Sequence, residues 1–205
     1  DNLAELMPKI AAQDLHALVC SVGKEEFLDL VPTCSAEQLI ALTDLEGWRA
    51  SRFDHMGFED WLGVLVEAGP RHLQRYLKAM DLEQMLLYLC GRVRVHARAE
   101  QEDDGYPTLP NEVPGSALWW SPDRRFVLEI FDWKKGEDRF QTDPIRPLLR
   151  HLETRDAWEV SRLLVALSWE LATPLEEDCL RLRNARMEEL GFPPAEEAWV
   201  LYAPG

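Results

Sequence analysis

The chain has 205 residues, of which 46% are hydrophobic and 29% are charged, a composition that indicates a globular protein rather than a disordered one. Its 37 acidic and 22 basic residues give a formal charge of −15, which disfavours nucleic acid and anionic membrane surfaces as partners. The longest strongly apolar run, residues 163–169, is too short to cross a bilayer, so we expect no membrane insertion.

The first half of the chain contains one pattern twice, at an offset of 46 residues. In each copy an apolar helix reaches a glycine, Gly23 or Gly69, and a second short helix follows. Ser35 and Asp81 then begin a third helix, twelve residues after each glycine. Such an offset is typical of stacked helical hairpins, whose usual role is to present a surface to a partner. We therefore predict a helical-hairpin repeat region over residues 1–98.

Local signals refine this pattern. Ser35 and Gln38 fit a capping box, in which each residue bonds the backbone amide of the other. Residues 44–49, which include Trp48, are predicted as a further short helical segment.

The second half begins with a change of composition. Residues 99–116 are acidic and rich in proline, which predicts a linker. The β-prone residues 117–120 and 125–131 flank Pro122 and Asp123, and these two suit a type I turn. We expect one β-hairpin with no larger sheet around it.

Helices are predicted again at about 144–153, 156–171 and 174–190, followed by a short helix or extended tail at 196–202. The predicted fold class is therefore mostly α: two helical-hairpin repeats, one β-hairpin and a C-terminal helical bundle. Residues 117–205 form either a second domain or one compact domain with the first.

Two resemblances follow from these residues. Residues 15–89, with their glycine breaks and capped helix starts, resemble the helical-hairpin superhelix at the cytosolic N-terminus of MgtE-type magnesium transporters, and related hairpins occur in the flagellar switch protein FliG. Nearly the whole chain resembles an uncharacterised bacterial family of unknown function, through AEQL at 36–39, DLEGW at 44–48 and RMEELGFPP at 186–194. Members of that family are expected to be longer than this chain. Neither resemblance implies an activity or a site.

One degenerate motif suggests catalysis. Pro122 and Asp123, followed by Asp132 and Lys134, match the P-D…(D/E)-x-K sequence motif of a nuclease fold. In that fold, carboxylates hold Mg²⁺ beside a lysine. The alternative is that Asp123 belongs to the hairpin turn and that Asp132 ends the strand. Since such a site needs a larger sheet, we favour the turn.

Other candidate residues are read as structural. The acidic run 100–104 lacks the ligand spacing of a calcium loop, so a solvated linker is the better interpretation. No two of the five histidines lie at i,i+3 or i,i+4, and none flanks a cysteine. The four cysteines form no C-x-x-C pair, which predicts reduced thiols and a cytoplasmic protein. Cys90 lies on the apolar side of its helix and is predicted as inert core.

The eight tryptophans are unusual in number. Trp61, Trp158 and Trp169 lie on helical stripes and are predicted as core. Trp119 and Trp120 are neighbours in a strand and point to opposite faces, so one of them could anchor a partner, although packing of both is favoured.

We therefore predict no catalytic, cofactor or metal site and no cofactor. The leading functional hypothesis is a non-catalytic cytoplasmic interaction or scaffold domain with a protein partner. The alternative is a divalent-cation-responsive regulatory domain, and a Mg²⁺-dependent nuclease-like enzyme is the remote alternative.

Overall fold

The structure is a computed structural model, which describes residues 5–97, 118–131, 143–169 and 172–192. These residues are mostly helical, with one two-stranded and one three-stranded antiparallel sheet, so the predicted mostly α class is confirmed. They divide into two compact units. The first contains the described residues of 5–80 and 176–192, and the second contains those of 81–97, 118–131 and 143–175.

The first unit is built from short helices and one small hairpin. Its elements are α1 (Ala12–Val22), α2 (Lys24–Phe27), a 3₁₀ segment (Leu28–Thr33), α3 (Ala36–Glu46), β1 (Trp48–Arg49), β2 (Arg52–Phe53), α4 (His55–Ala68), α5 (Pro70–Ala79) and residues 176–189 of α9 (Ala172–Glu189). Gly23 and Gly69 end α1 and α4 with φ of 92° and 117°, a backbone region that favours glycine. Both glycine breaks are confirmed.

The capping box at the start of α3 is confirmed. The Ser35 Oγ accepts from the Gln38 amide at 3.1 Å, and the Gln38 Oε1 accepts from the Ser35 amide at 2.9 Å. The Gln38 side-chain nitrogen also donates to the carbonyls of Met7 and Ile10, each at 2.8 Å. One residue therefore closes the helix end and attaches the preceding segment to it.

The repeat itself is not confirmed. Asp81 is the N-cap of α6 (Leu82–Cys90), as Ser35 is of α3, so the two starts recur. The helices that follow them have different neighbours, however. In the first unit α3 packs against α1, α4 and α5, whereas in the second unit α6 packs against β3 (Val93–Ala97) and α8 (Ala157–Trp169). Superposition of the two copies stays a prediction.

The prediction that residues 44–49 form one helical segment is wrong. Helix α3 ends at Glu46, and Trp48 opens the strand β1, which pairs with β2. Trp48 lies opposite Phe53, with the two ring centroids 5.3 Å apart in an edge-to-face arrangement. This cross-strand aromatic pair favours the hairpin over a longer helix.

A buried carboxylate joins α3 to α9 within the first unit. Asp44 is fully buried, and Arg186 donates to its two oxygens at 2.7 and 2.9 Å. Arg183 donates to the Asp44 carbonyl oxygen at 2.8 Å. Met187, the next residue of α9, packs with Ala41 in the same core. The contact is structural because charge and geometry are both satisfied.

The second unit places helices around a small sheet. Its elements are α6, β3, β4 (Leu118–Trp120), β5 (Phe126–Ile130), α7 (Ile145–Glu153), α8 and the first residues of α9. The predicted β4–β5 hairpin is confirmed, and the Arg124 amide donates to the Ser121 carbonyl across the turn at 2.9 Å.

The expectation of no larger sheet is wrong. Strand β3 pairs antiparallel with the other edge of β5, from Val93 opposite Ile130 to Ala97 opposite Phe126. The second edge of β5 presents backbone N–H and C=O groups that need hydrogen-bond partners because the strand is buried. Strand β3 supplies those partners.

Helices α7, α8 and α9 occur where the sequence predicts helices at 144–153, 156–171 and 174–190. The predicted linker 99–116 and tail 196–202 lie outside the described residues, so the domain bounds 1–98 and 117–205 stay predictions. Among the described residues no helix is both long and apolar enough to span a membrane.

Candidate functional site

Helix α8 carries apolar side chains on two opposite faces. The inward face consists of the buried residues Val160, Leu163, Leu164 and Leu167, which follow the i, i+3, i+4, i+7 spacing of a core helix. The opposite face carries Trp158, Arg162, Val165 and Trp169, at i, i+4, i+7 and i+11. We call these four residues the α8 stripe. It runs about 16 Å along the helix at 1.5 Å per residue.

The apolar members of the α8 stripe are strongly exposed. The exposed fractions are 65% for Trp158, 45% for Val165 and 82% for Trp169. The prediction that Trp158 and Trp169 belong to the core is therefore wrong. Helical spacing identifies an apolar stripe, but it does not tell whether other elements of the fold cover that stripe.

The one charged member of the α8 stripe contacts a tryptophan. The Arg162 guanidinium lies 4.7 Å from the centroid of the Trp158 ring, within the range of a cation–π interaction. Tryptophan and arginine are the residues most enriched among those that dominate the energy of protein interfaces. The α8 stripe thus combines two large rings with a planar donor that stays accessible.

The adjacent tryptophans of β4 differ in exposure. Trp119 is half-buried, and its indole nitrogen donates to a carboxylate oxygen of Glu153 on α7 at 2.8 Å. Trp120 is 37% exposed, so the favoured prediction that both are packed is wrong for Trp120.

The nuclease hypothesis gains no support from Asp123. Its Oδ1 accepts from the Ser121 hydroxyl at 2.6 Å and from the Arg125 amide at 3.1 Å, and its Oδ2 accepts from the Ser161 hydroxyl at 2.6 Å. Burial raises the pKa of Asp123, but these hydrogen bonds outweigh burial and hold it below its usual range. Asp123 is therefore engaged in the turn, while Asp132 and Lys134 lie outside the described residues. The acidic run 100–104 lies outside them as well.

One cluster of possible metal ligands escaped the sequence analysis. His16 and Cys20 lie one turn apart on α1, and Glu46 ends α3. The His16 Nε2 lies 2.8 Å from the Glu46 Oε1 and 3.7 Å from the Cys20 Sγ. All three candidate ligand atoms lie within 4.8 Å of one another. A search for histidine–cysteine pairs at i,i+4, rather than for histidine pairs, would have found two of these three residues.

A lysine modulates the charge of this cluster. The Lys24 Nζ lies 3.5 Å from the Glu46 Oε2, whereas His16 contacts the other carboxylate oxygen, Oε1. Partial burial raises the pKa of Glu46, but the hydrogen bond with His16 and the charge of Lys24 outweigh it, so the pKa is lowered. Glu46 is therefore ionised at neutral pH.

The sequence segments that suggested a family meet in the structure, since Asp44 of DLEGW binds Arg186 of RMEELGFPP. A family model matches residues 1–205. The chain belongs to the Family of unknown function (DUF6178). No curated protein and no solved structure matches the chain.

The second unit of this DUF6178 chain also contains an open cleft of about 350 Å³. It is lined by Cys90, Val93, Arg94, Val95, Phe131, Leu167 and Ser168. Cys90 is half-buried rather than fully buried, and the Arg94 guanidinium lies 5.3 Å from the centre of the Phe131 ring. One thiol, one guanidinium and the Ser168 hydroxyl, which donates to the Val165 carbonyl, do not form the set of convergent polar groups that is typical of a small-molecule site.

Proposed function

We propose that this DUF6178 chain is a non-catalytic protein-interaction domain and that the α8 stripe is its contact surface. One observation supports this most: Trp158 and Trp169 are 65% and 82% exposed on a helix whose other face is buried. Covering a large apolar side chain contributes about 2 kcal/mol relative to leaving it in water. A partner that covers both rings would therefore gain much of the free energy that a specific complex needs.

The charge of the chain favours one kind of partner. At −15, the chain repels a second copy of itself, and it also repels nucleic acid and anionic lipid. A cationic or weakly charged protein would meet no such barrier. Arg162, at the middle of the stripe, would pair with an acidic side chain of that protein. We therefore propose a partner with an apolar helix face or groove and one carboxylate opposite Arg162.

A comparison of binding constants tests this proposal. A partner would be captured with the full chain and purified, and its dissociation constant would be measured by calorimetry for each variant. Trp158→Ala and Trp169→Ala are each expected to weaken binding at least about tenfold, as for interface anchors. Met56→Ala and Leu82→Ala serve as controls, because both side chains are 47% exposed and lie off the stripe. Equal affinity for all four variants would contradict the proposal.

The proposal includes a bacterial cytoplasm as the location. The four cysteines are all free thiols, which suits a reducing compartment. Fractionation of cells from the source organism tests it, and recovery with the periplasmic fraction would contradict it.

A divalent-cation-responsive regulatory domain is the second candidate function. It is suggested by the resemblance of residues 15–89 to MgtE-type N-terminal domains, and the His16, Cys20 and Glu46 cluster lies in that region. Saturating ligand at a hundredfold excess over Kd would add about 2.7 kcal/mol of stability. We expect Mg²⁺ to produce a smaller effect, one that NaCl at equal ionic strength reproduces. A saturable stabilisation specific to Mg²⁺ would favour this second candidate.

A further inference from the structure

We infer that His16, Cys20 and Glu46 form a surface site for one zinc-type divalent cation, with an imidazole, a thiolate and a carboxylate as ligands and a fourth position open to solvent. This site lies in the first unit and does not depend on the α8 stripe. The fold brings together three different donor types from two helices, α1 and α3.

Two packed helices hold the ligands in place. His16 and Cys20 are separated by one turn of α1, so their side chains leave the same face of the helix. Helix α1 packs on α3, and the buried Ala12 of α1 and Ala41 of α3 belong to one core cluster. Glu46 is the last residue of α3 and reaches the same point from the other helix. Ligands on such elements are oriented before the cation arrives.

The three donor atoms lie close enough to share a tetrahedral ion once the side chains rotate. With bonds of about 2.0–2.3 Å, zinc ligands lie about 3.3–3.8 Å from one another. The Cys20 Sγ is already 3.7 Å from the His16 Nε2. The His16 Nε2 and the Glu46 Oε1 share a hydrogen bond at 2.8 Å, and they would separate by about half an ångström once the cation replaces the shared proton.

The same geometry disfavours a nucleophilic triad. In a triad the carboxylate binds one ring nitrogen of the histidine, and the other nitrogen faces the nucleophile. Here the Glu46 carboxylate binds Nε2 at 2.8 Å, and the Cys20 thiol lies almost as far from this nitrogen, 3.7 Å, as from Nδ1, 4.0 Å, so it does not specifically face Nδ1. The thiol lies beside the ring rather than across it from the carboxylate, and a rotation of the Cys20 side chain would bring it to a cation shared with Nε2 and Glu46.

The donor types select the cation. Mg²⁺ and Ca²⁺ prefer oxygen ligands, whereas a thiolate with an imidazole suits Zn²⁺ and Co²⁺. Lys24 contacts the Oε2 of Glu46 and leaves the Oε1 facing the cluster, so it can stay paired when the cation binds. On binding, the Cys20 thiol would release its proton to solvent, and the neutral His16 ring would carry its proton on Nδ1 so that Nε2 can bind the cation.

Cobalt spectroscopy on the full chain tests the site. Co²⁺ is expected to bind one per chain with a thiolate-to-metal charge-transfer band in the near ultraviolet, and Zn²⁺ is expected to displace it. Cys20→Ser should abolish the band, and His16→Gln and Glu46→Gln should each weaken Zn²⁺ binding at least about tenfold. The matched controls Cys90→Ser, His72→Gln and Glu25→Gln should bind as the unsubstituted chain does. A band that persists in Cys20→Ser, or equal affinity in all variants, would overturn the inference.

A second measurement needs no substitution. Cys20 is the exposed cysteine of the four, so iodoacetamide should alkylate it first. Zn²⁺ should protect Cys20 from alkylation at a stoichiometry of one, while Mg²⁺ should not. Alkylation of Cys20 at an unchanged rate in saturating Zn²⁺ would contradict the site, whatever the variants do.

Discussion

Helices α4 and α8 both carry tryptophan on an apolar helical stripe, but they bury it differently. Trp61 of α4 has no exposed surface, and its ring lies edge-to-face against Phe27 with centroids 5.9 Å apart. Trp158 and Trp169 of α8 are 65% and 82% exposed. Helix α4 packs against the 3₁₀ segment, α3 and α5 within the first unit. Within the second unit α8 packs against β3, α6 and α7 through its other face.

This difference in exposure distinguishes apolar side chains that hold a helix in the fold from apolar side chains that remain on the surface. One buried stripe, which includes Leu163 and Leu164, already attaches α8 to its unit. The opposite stripe adds nothing to that attachment, yet it carries two of the largest apolar side chains in the sequence. Contiguous exposed apolar surface is typical of interaction sites in soluble proteins.

The largest expected effect is on Trp61. Trp61→Ala should lower the free energy of unfolding by about 3–5 kcal/mol, because it leaves a large cavity in a packed core. Trp61→Phe should cost less, since it keeps a ring, and the Trp61 indole nitrogen has no hydrogen-bond partner among the described residues. Urea denaturation followed by circular dichroism measures both. If Trp61→Ala is as stable as the unsubstituted chain, the claim that Trp61 stabilises the core while the tryptophans of α8 do not would be contradicted.

The same comparison between buried and exposed side chains can be made for charged groups. Asp44→Asn should cost about 3 kcal/mol, because it leaves the Arg186 guanidinium without its buried carboxylate. The control is Asp178→Asn, which removes an exposed pair with Arg181 at 2.9 Å and should change stability by less than about 1 kcal/mol. Equal effects in urea denaturation would mean that the Asp44 contact is not a determinant of the fold.

The capping box of α3 should have a smaller effect. Ser35→Ala should cost about 1 kcal/mol, because the Gln38 amide loses its acceptor. Ser21→Ala is the matched control, since the Ser21 hydroxyl is exposed and donates only to the Ala17 carbonyl of its own helix. A larger loss of melting temperature in Ser21→Ala than in Ser35→Ala would contradict the role of the cap.

The smallest expected effect on stability belongs to the α8 stripe. Trp158→Ala and Trp169→Ala should each change the free energy of unfolding by no more than about 0.5 kcal/mol, because exposed side chains contribute little to the folded state. The same urea series as for Trp61 provides the measurement. A loss of several kcal/mol in either variant would show that these rings are part of the core.

Local signals in the sequence predicted a large part of this fold. The glycine ends of α1 and α4, the Ser35 capping box and the β4–β5 turn each depend on a few neighbouring residues, and all are found. Non-local contacts could not be predicted in this way. Strand β3 is recognised only through its pairing with β5, and Asp44 meets Arg186 across more than a hundred residues of sequence.

The sequence did not reveal the exposure of the α8 stripe or the complete cluster of His16, Cys20 and Glu46, for two different reasons. Helical spacing reports which residues of α8 are apolar, but coverage by neighbouring elements decides which of its two faces is buried. For His16 and Cys20 the spacing was visible in the sequence, whereas Glu46 joins them only because α1 packs on α3. A single sequence does not encode that packing in any local pattern.

Photo-crosslinking in cells tests the central claim, that the α8 stripe contacts a protein partner, most directly. A photoreactive residue would replace Val165 within the α8 stripe and, in separate chains, Met56 or Leu82 away from it, all with similar exposure. The account predicts one adduct of defined mass from position 165, lost when Trp169 is changed to Ala in the same chain, and none from positions 56 and 82. No adduct at position 165, or the same adducts at all three positions, would contradict it.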